Sequence, residues 1–204
     1  PDGAFSDYGS FNEQHTTTCF DADGSLLGMS LGDAWQLWEC SNPSNPMLMA
    51  HVADRNSFGA ISLVGDRAVV VDDAVGLRIY DITDHQHPIF LGGGSEGLSY
   101  ADPSMYYEYS SIMSVVISGD VVCMAKRYCI GSGLFTSCWH WLSILDVSDP
   151  TNMAYIGGTT FGQWGRFNRS GSRIYASSFT PDRSMVLDPG NPGEISPRFL
   201  PAGG

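Results

Sequence analysis

The sequence predicts an all-β fold, a β-propeller assembled from repeated four-stranded blades, and three observations predict it. The first is a recurring phrase, clearest as GDRAVVVDDAVGLRIYDITDHQHPIFLGG from Gly65 to Gly93. It runs turn, β-run, Gly-containing turn, second β-run ending in Asp, polar Pro loop, third run, and such internal self-similarity is the signature of repeat architectures. The second is its period. The glycines that open each second strand, Gly24, Gly65, Gly119 and Gly171, are spaced by 41, 54 and 52 residues, close to the roughly 40–50 residues of a propeller blade. The third is composition: 24 Gly and 11 Pro among 204 residues suit many short strands joined by tight turns. No stretch holds apolar residues at helical spacing for ten residues without Gly, Pro or β-branched interruption, so helices are not expected.

The elements follow in order from the repeated phrase. First strands are expected at His15–Phe20, Ala60–Val64, Ile112–Ser118 and Trp164–Asn168, each leading into its Gly turn. Second strands follow at Leu26–Ser30, Ala68–Val71, Val121–Ala125 and Ile174–Ser177. Third strands fall at Ala34–Trp38, Gly76–Tyr80, Trp141–Leu145 and Ser184–Leu187, and fourth strands at Met47–His51, Ile89–Leu91, Ala154–Ile156 and Arg198–Leu200. The β-branched and aromatic content of these runs and the turn residues between them carry the assignment.

Each third strand closes on an acid: Glu39, Asp81, Asp146 and Asp188. Two of them continue into Asp81-Ile82-Thr83-Asp84 and Asp146-Val147-Ser148-Asp149-Pro150. Asp and Ser/Thr in such positions bond back to nearby backbone N–H groups and fix a turn. Four acids doing the same local job in four repeats are structural rather than one active site. The segments Gly76-Leu77-Arg78-Ile79-Tyr80-Asp81-Ile82-Thr83-Asp84 and Leu142-Ser143-Ile144-Leu145-Asp146-Val147-Ser148-Asp149-Pro150 resemble the LVIVD repeat family. The resemblance is close in the second and third repeats, partial in the fourth and faint in the first. It implies propeller-like blades in a secreted or cell-surface protein, and very little chemistry.

The expectation is one propeller domain over residues 1–204, with blades near 10–52, 55–92, 108–158 and 160–202. The chain is a four-bladed ring, a five-bladed ring completed by its termini, or a piece of a larger ring, and a ring not closed within the chain needs a neighbouring copy over its ends, because open ends expose unpaired edges. Two stretches break the pattern, 92–109 and 126–140. They hold Tyr100, Tyr106, Tyr107, Tyr109 and Trp139, amphipathic side chains suited to a contact surface or to covering the top of the propeller.

The formal charge of −12 repels phosphate backbones, so nucleic acid is not an expected partner. No apolar run approaches the 18 residues of a membrane-spanning helix. The chain opens at Pro1 without an initiator Met or signal pattern, which implies a processed chain or a part of a longer one. Of five cysteines, Cys129 and Cys138 bracket a Gly/Ser-rich hairpin tip and are candidates for a disulfide, as are Cys19 and Cys40, whereas Cys123 sits in an apolar run as a buried thiol. With the glycosylation pattern Asn168-Arg169-Ser170, they favour an extracellular or cell-surface location.

Catalytic patterns are weak. Gly93-Gly94-Ser95-Glu96-Gly97 has the letters of a nucleophile elbow but no helix pattern follows Ser95. Asp21-Ala22-Asp23-Gly24 has the flavour of a calcium loop, lacks the distal ligands, and reads as a β-turn. No other cofactor is expected. His85 and His87 lack a third metal ligand at a suggestive spacing. The acids Asp33, Asp54, Asp72, Asp73 and Asp102 serve a hydrolase only if two of them converge on one pocket. The reading is a non-enzymatic structural or adhesive propeller that contacts a protein partner or identical copies of itself. A propeller hydrolase acting on glycans or esters and a carbohydrate-binding propeller are the alternatives.

Overall fold

The computed structural model describes residues 19–72, 75–94, 108–132, 135–159, 164–178, 184–188 and 198–199. These residues are strands and turns, with no helix among them. The first blade contains β1 (Cys19–Asp23), β2 (Leu26–Ser30), β3 (Gly32–Glu39) and the first half of β4 (Met47–Val64). The second half of β4 opens the next blade, which continues through β5 (Arg67–Asp72), β6 (Gly76–Asp81) and β7 (Ile89–Gly94), so one sheet runs in the order β1-β2-β3-β4-β5-β6-β7. The two halves of β4 pair with different neighbours, β3 through Met47–Ala53 and β5 through Ile61–Val64, with Phe58 pairing to both Gly32 and Asp72 where bulges mark the bend. A bulge lets one strand bend sharply without losing its ladder.

The third blade is β8 (Glu108–Ser118), β9 (Val121–Ser132), β10 (Phe135–Asp146) and β11 (Ala154–Thr159). The fourth is β12 (Trp164–Ser170), β13 (Arg173–Ser178), β14 (Ser184–Leu187) and β15 (Arg198–Phe199). All neighbouring strands are antiparallel. First and second strands join through two-residue turns opened by Gly24, Gly65, Gly119 and Gly171, with φ of 61°, 51°, 57° and 59°. That left-handed backbone explains why a glycine recurs there and marks the repeat.

The core lies between blades, in three seams. Leu26, Trp35 and Leu37 of the first blade pack against Ile61, Ala68 and Val70 of the second. Val69, Val71 and Ile79 pack against Ile117, Val122 and Met124 of the third. Val121, Cys123 and Ala125 pack against Phe167, Ile174 and Ala176 of the fourth. Side chains alternate across a strand, so consecutive residues of β5 and β9 serve opposite seams. A strand buried on both faces reads as a continuous apolar run, which is why Ala68-Val69-Val70-Val71 and Val121-Val122-Cys123-Met124-Ala125 lack the apolar–polar alternation of a half-exposed strand.

Three expectations are corrected. Residues 126–140 do not interrupt the third blade, because β9 and β10 run through them with an unbroken register from Val121↔Asp146 to Ser132↔Phe135. The Asp21-Ala22-Asp23 segment is strand rather than turn, since it pairs with Gly28, Leu27 and Leu26 and the turn begins at Gly24. Cys19 and Cys40 do not form a bond and both are free thiols. Cys19 pairs with Ser30 at one end of β2, whereas the Cys40 N–H donates to the Ser25 carbonyl beyond its other end. Five residues of extended strand, about 16 Å, separate those levels, far beyond the reach of a disulfide.

Candidate functional site

The first strand of each blade is its innermost one. β1, the second half of β4, β8 and β12 surround a cavity of about 830 Å³ whose lining includes Phe20, Asp21, Ser62, Ser114, Asn168 and Arg169. The polar groups there stitch blades together. The Asp21 carboxylate accepts both the Ser62 hydroxyl and the Leu63 N–H at 2.8 Å. The Ser62 Oγ in turn accepts the Ile117 N–H at 3.3 Å, joining the second blade to the third. Two residues further along β1, Asp23 Oδ2 accepts the Gly65 N–H at 2.7 Å. Between the third and fourth blades, Ser114 Oγ accepts the Phe167 N–H at 3.5 Å and Ser118 donates to the Ser172 carbonyl at 3.1 Å.

Arg169, on β12, connects the fourth blade to the first two. Its guanidinium donates to Asp23 Oδ1 at 3.0 Å and to the Leu63 carbonyl at 3.1 Å. Burial by itself raises the Asp23 carboxyl, but the Gly65 N–H and Arg169 together outweigh it and hold Asp23 below the usual carboxylate range. Arg169 was not legible as a site residue in the sequence. Its only signal was its place two residues before the repeated Gly, where the other blades carry Ala22, Leu63 and Ile117.

The chemical capacity of the cavity is narrow. Asp21 is the one carboxylate among the described residues that line it, so these residues do not supply the carboxylate pair of glycoside hydrolysis. Asp33 is exposed on β3, and Asp72 is buried beside Arg78 at 2.7 Å. The side chain of Asp54, and Asp73 and Asp102 altogether, lie outside the described residues. No group of three or more His, Cys, Asp or Glu suited to a metal ion occurs among the described residues. Asn168 is exposed within β12 and borders the cavity rather than sitting in a loop.

Three of the four acids that end the third strands, Glu39, Asp81 and Asp146, cap turns as the sequence implies. The carboxylates of Glu39, Asp81 and Asp146 accept the N–H of Ser41, Thr83 and Ser148 at 2.8, 2.8 and 2.9 Å. Asp84 and Asp149 accept those of Gln86 and Thr151, both at 3.0 Å. Hydrogen bonds from Thr83 hold the Asp81 carboxyl low, those from Ser148 do so for Asp146, and those from Thr151 for Asp149. His87 belongs to one such turn, with its Nδ1 2.9 Å from Asp84 Oδ2.

A second surface follows directly from these turns. Each delivers the chain into an outer strand whose first two residues match between blades. Met47 and Leu48 pair with Glu39 and Trp38, Ile89 and Phe90 with Asp81 and Tyr80, and Ala154 and Tyr155 with Asp146 and Leu145. Met47, Leu48, Ile89, Phe90 and Tyr155 are 46–62% exposed. Phe90 stands edge-on to Tyr80 at 5.6 Å, with the Arg78 guanidinium 6.0 Å from its ring centre. These strands were legible in the sequence, but the exposure of their apolar pair was not. The recurring Pro-apolar-apolar of Pro46-Met47-Leu48 and Pro88-Ile89-Phe90 was its signal.

Of the aromatic residues expected to bind, Tyr100, Tyr106 and Tyr107 lie outside the described residues. Tyr109 is on β8 opposite Cys129, and Trp139 is on β10 opposite Tyr128.

Residues 137–160 match the LVIVD repeat family, so the chain carries an LVIVD repeat at its third blade. No curated protein matches the chain by sequence. Among solved structures, the computationally designed Ika8 protein is similar at 11% identity and a TM-score of 0.56, over 94% of this chain and 52% of that one. The computationally designed Ika4 protein is similar at 10% identity and a TM-score of 0.51, over 87% of this chain and 93% of that one. The WD40 β-propeller domain of Doa1 gives 7% identity and a TM-score of 0.45, over 87% of this chain and 66% of that one. The chain is an all-β, propeller-type structure.

Proposed function

We propose that this chain is a non-enzymatic binding propeller of the extracellular space or cell surface, whose outer rim engages protein partners, including copies of itself. The observation that carries the reading is the repetition of one exposed apolar pair at the same outer-strand position. It recurs in two blades, with Tyr155 at the equivalent place in a third, and each lies beside an acidic turn. Scattered surface apolar residues need no explanation, but a patterned set rimmed by polar groups marks an interaction surface. Edge strands are also where a second chain adds most readily, because their outward N–H and C=O groups are open to pairing. The chain's charge of −12 keeps it soluble and favours partners that combine apolar with basic residues.

The test is light scattering over a concentration series, with cross-linking to cell-surface proteins, on the wild type and on Ile89→Lys/Tyr155→Lys. The reading expects self-association or partner capture that the double variant loses while keeping its β-rich circular dichroism. A wild type that stays monomeric at high concentration and captures no more protein than the variant refutes it.

A further inference from the structure

We propose that Cys129 and Cys138 form a cross-strand disulfide that clamps the extended β9–β10 hairpin of the third blade, and that Cys19, Cys40 and Cys123 take no part in it. The backbone register carries the inference. Ser132 and Phe135 pair across a two-residue connection, so they are the mutually hydrogen-bonded pair that closes a two-residue hairpin. Hydrogen-bonded and non-hydrogen-bonded pairs alternate along an antiparallel ladder. The register continues without a shift through Gly131↔Thr136 and Ile130↔Ser137 to Cys129↔Cys138. Counting from the closing pair makes Cys129↔Cys138 a non-hydrogen-bonded pair, the type in which facing Cα atoms approach to about 4.5 Å. That separation lies within the range a disulfide spans, about 4.4–6.8 Å.

The other cysteines are excluded by position. Cys19 and Cys40 are free and far apart along β2. Cys123 is sealed in the seam between the third and fourth blades, where burial pushes its thiol up to about 12. A thiol held protonated is a poor nucleophile for exchange.

The step needs an oxidant, and a small disulfide such as oxidised glutathione supplies it. The thiolate of one cysteine attacks a glutathione sulfur and expels one glutathione thiolate. The thiolate of the other then attacks the mixed disulfide and expels the second. Two protein thiols become one disulfide, and one glutathione disulfide becomes two glutathione thiols.

The clamp ties Cys129 to Cys138 across the hairpin that also holds Trp139, one of the aromatic residues expected to bind. Its test is independent of whether the rim binds anything. The intact protein is equilibrated with glutathione buffers of graded ratio, alkylated, unfolded and digested with trypsin. Trypsin cuts after Arg127 and Arg166, leaving both cysteines in one peptide with no other cysteine. In oxidising buffer this peptide should be two hydrogens lighter and unalkylated, reverting on reduction, while Cys19 and Cys40 alkylate throughout and Cys123 only once the protein is unfolded. The wild type's Tm should rise on oxidation and that of Cys129→Ser/Cys138→Ser should not. Full alkylation of Cys129 and Cys138 in oxidising buffer, a bond from either to another cysteine, or identical Tm responses of the two proteins overturns the proposal.

Discussion

Replacing Asp21 by Ala removes the group that joins the first blade to the second at the cavity. Its carboxylate accepts the Leu63 N–H and the Ser62 hydroxyl, each at 2.8 Å. Leu63 is 0% and Ser62 1% exposed, so both donors lie beneath the acceptor they would lose. A buried donor left unsatisfied costs about 1–3 kcal/mol. The Leu63 N–H is fixed by its strand and bears the full cost, whereas the Ser62 hydroxyl is free to rotate and bears part of it. The expected loss is about 3 kcal/mol. For a chain of this size each kcal/mol moves Tm by about 2–4 °C, so Asp21→Ala should melt about 6–12 °C below wild type. Asp21→Asn keeps an acceptor oxygen and should fall between the two. Asp146→Ala, which removes an exposed turn carboxylate, should shift Tm far less. Differential scanning calorimetry at neutral pH reads all three. An Asp21→Ala variant melting within about 1 °C of wild type, or no lower than Asp146→Ala, refutes the reasoning that buried inter-blade bonds and not rim turns hold the blades together.

Two more expectations come from the same structure. A Cβ at Gly92 meets the backbone of the third blade's turn, 2.6 Å from Pro150 C and 2.9 Å from Thr151 N. Gly92→Ala should therefore destabilise by overpacking, about 1–3 kcal/mol by urea denaturation, and a neutral result would show that the turn yields freely. Acidification should lower Tm in two stages. His140 is buried, and burial with the nearby Arg127 charge holds its pKa below the ordinary value, so its contribution is full above about pH 6.5 and is lost as pH falls through its lowered folded pKa. The carboxyls of Asp23, Asp81, Asp146 and Asp149 are likewise held low, so theirs is present above about pH 4 and lost further into acid. His140→Phe should flatten the upper stage alone, and an unchanged profile in that variant refutes the assignment.

Much of the blade was legible because its signals are local. Gly65 and Gly119 mark left-handed turns that few other residues adopt, and the acids Asp81 and Asp146 cap their own turns two residues on. The β-runs between them are apolar on both faces because each serves two seams. The rim pair Ile89-Phe90 was less legible, since exposure depends on what lies over a strand and not on its composition. The aromatic residues Tyr100, Tyr106 and Tyr107 lie outside the described residues.

By itself the sequence determined the repeat: the glycines at which each blade turns, the strands that flank them in the second to fourth blades, and the buried place of Cys123. Only the tertiary structure decided how the repeats meet. That Asp21 reaches Ser62 and Arg169 reaches Asp23, across separations of 41 and 146 residues, follows from arranging the blades around a common cavity. The same arrangement set Cys19 and Cys40 at opposite ends of β2 and left the outer strands' apolar pairs facing solvent. The physical reason is range. Backbone turns and strand alternation are written within a few residues, whereas inter-blade hydrogen bonds and burial arise only when distant segments are brought side by side.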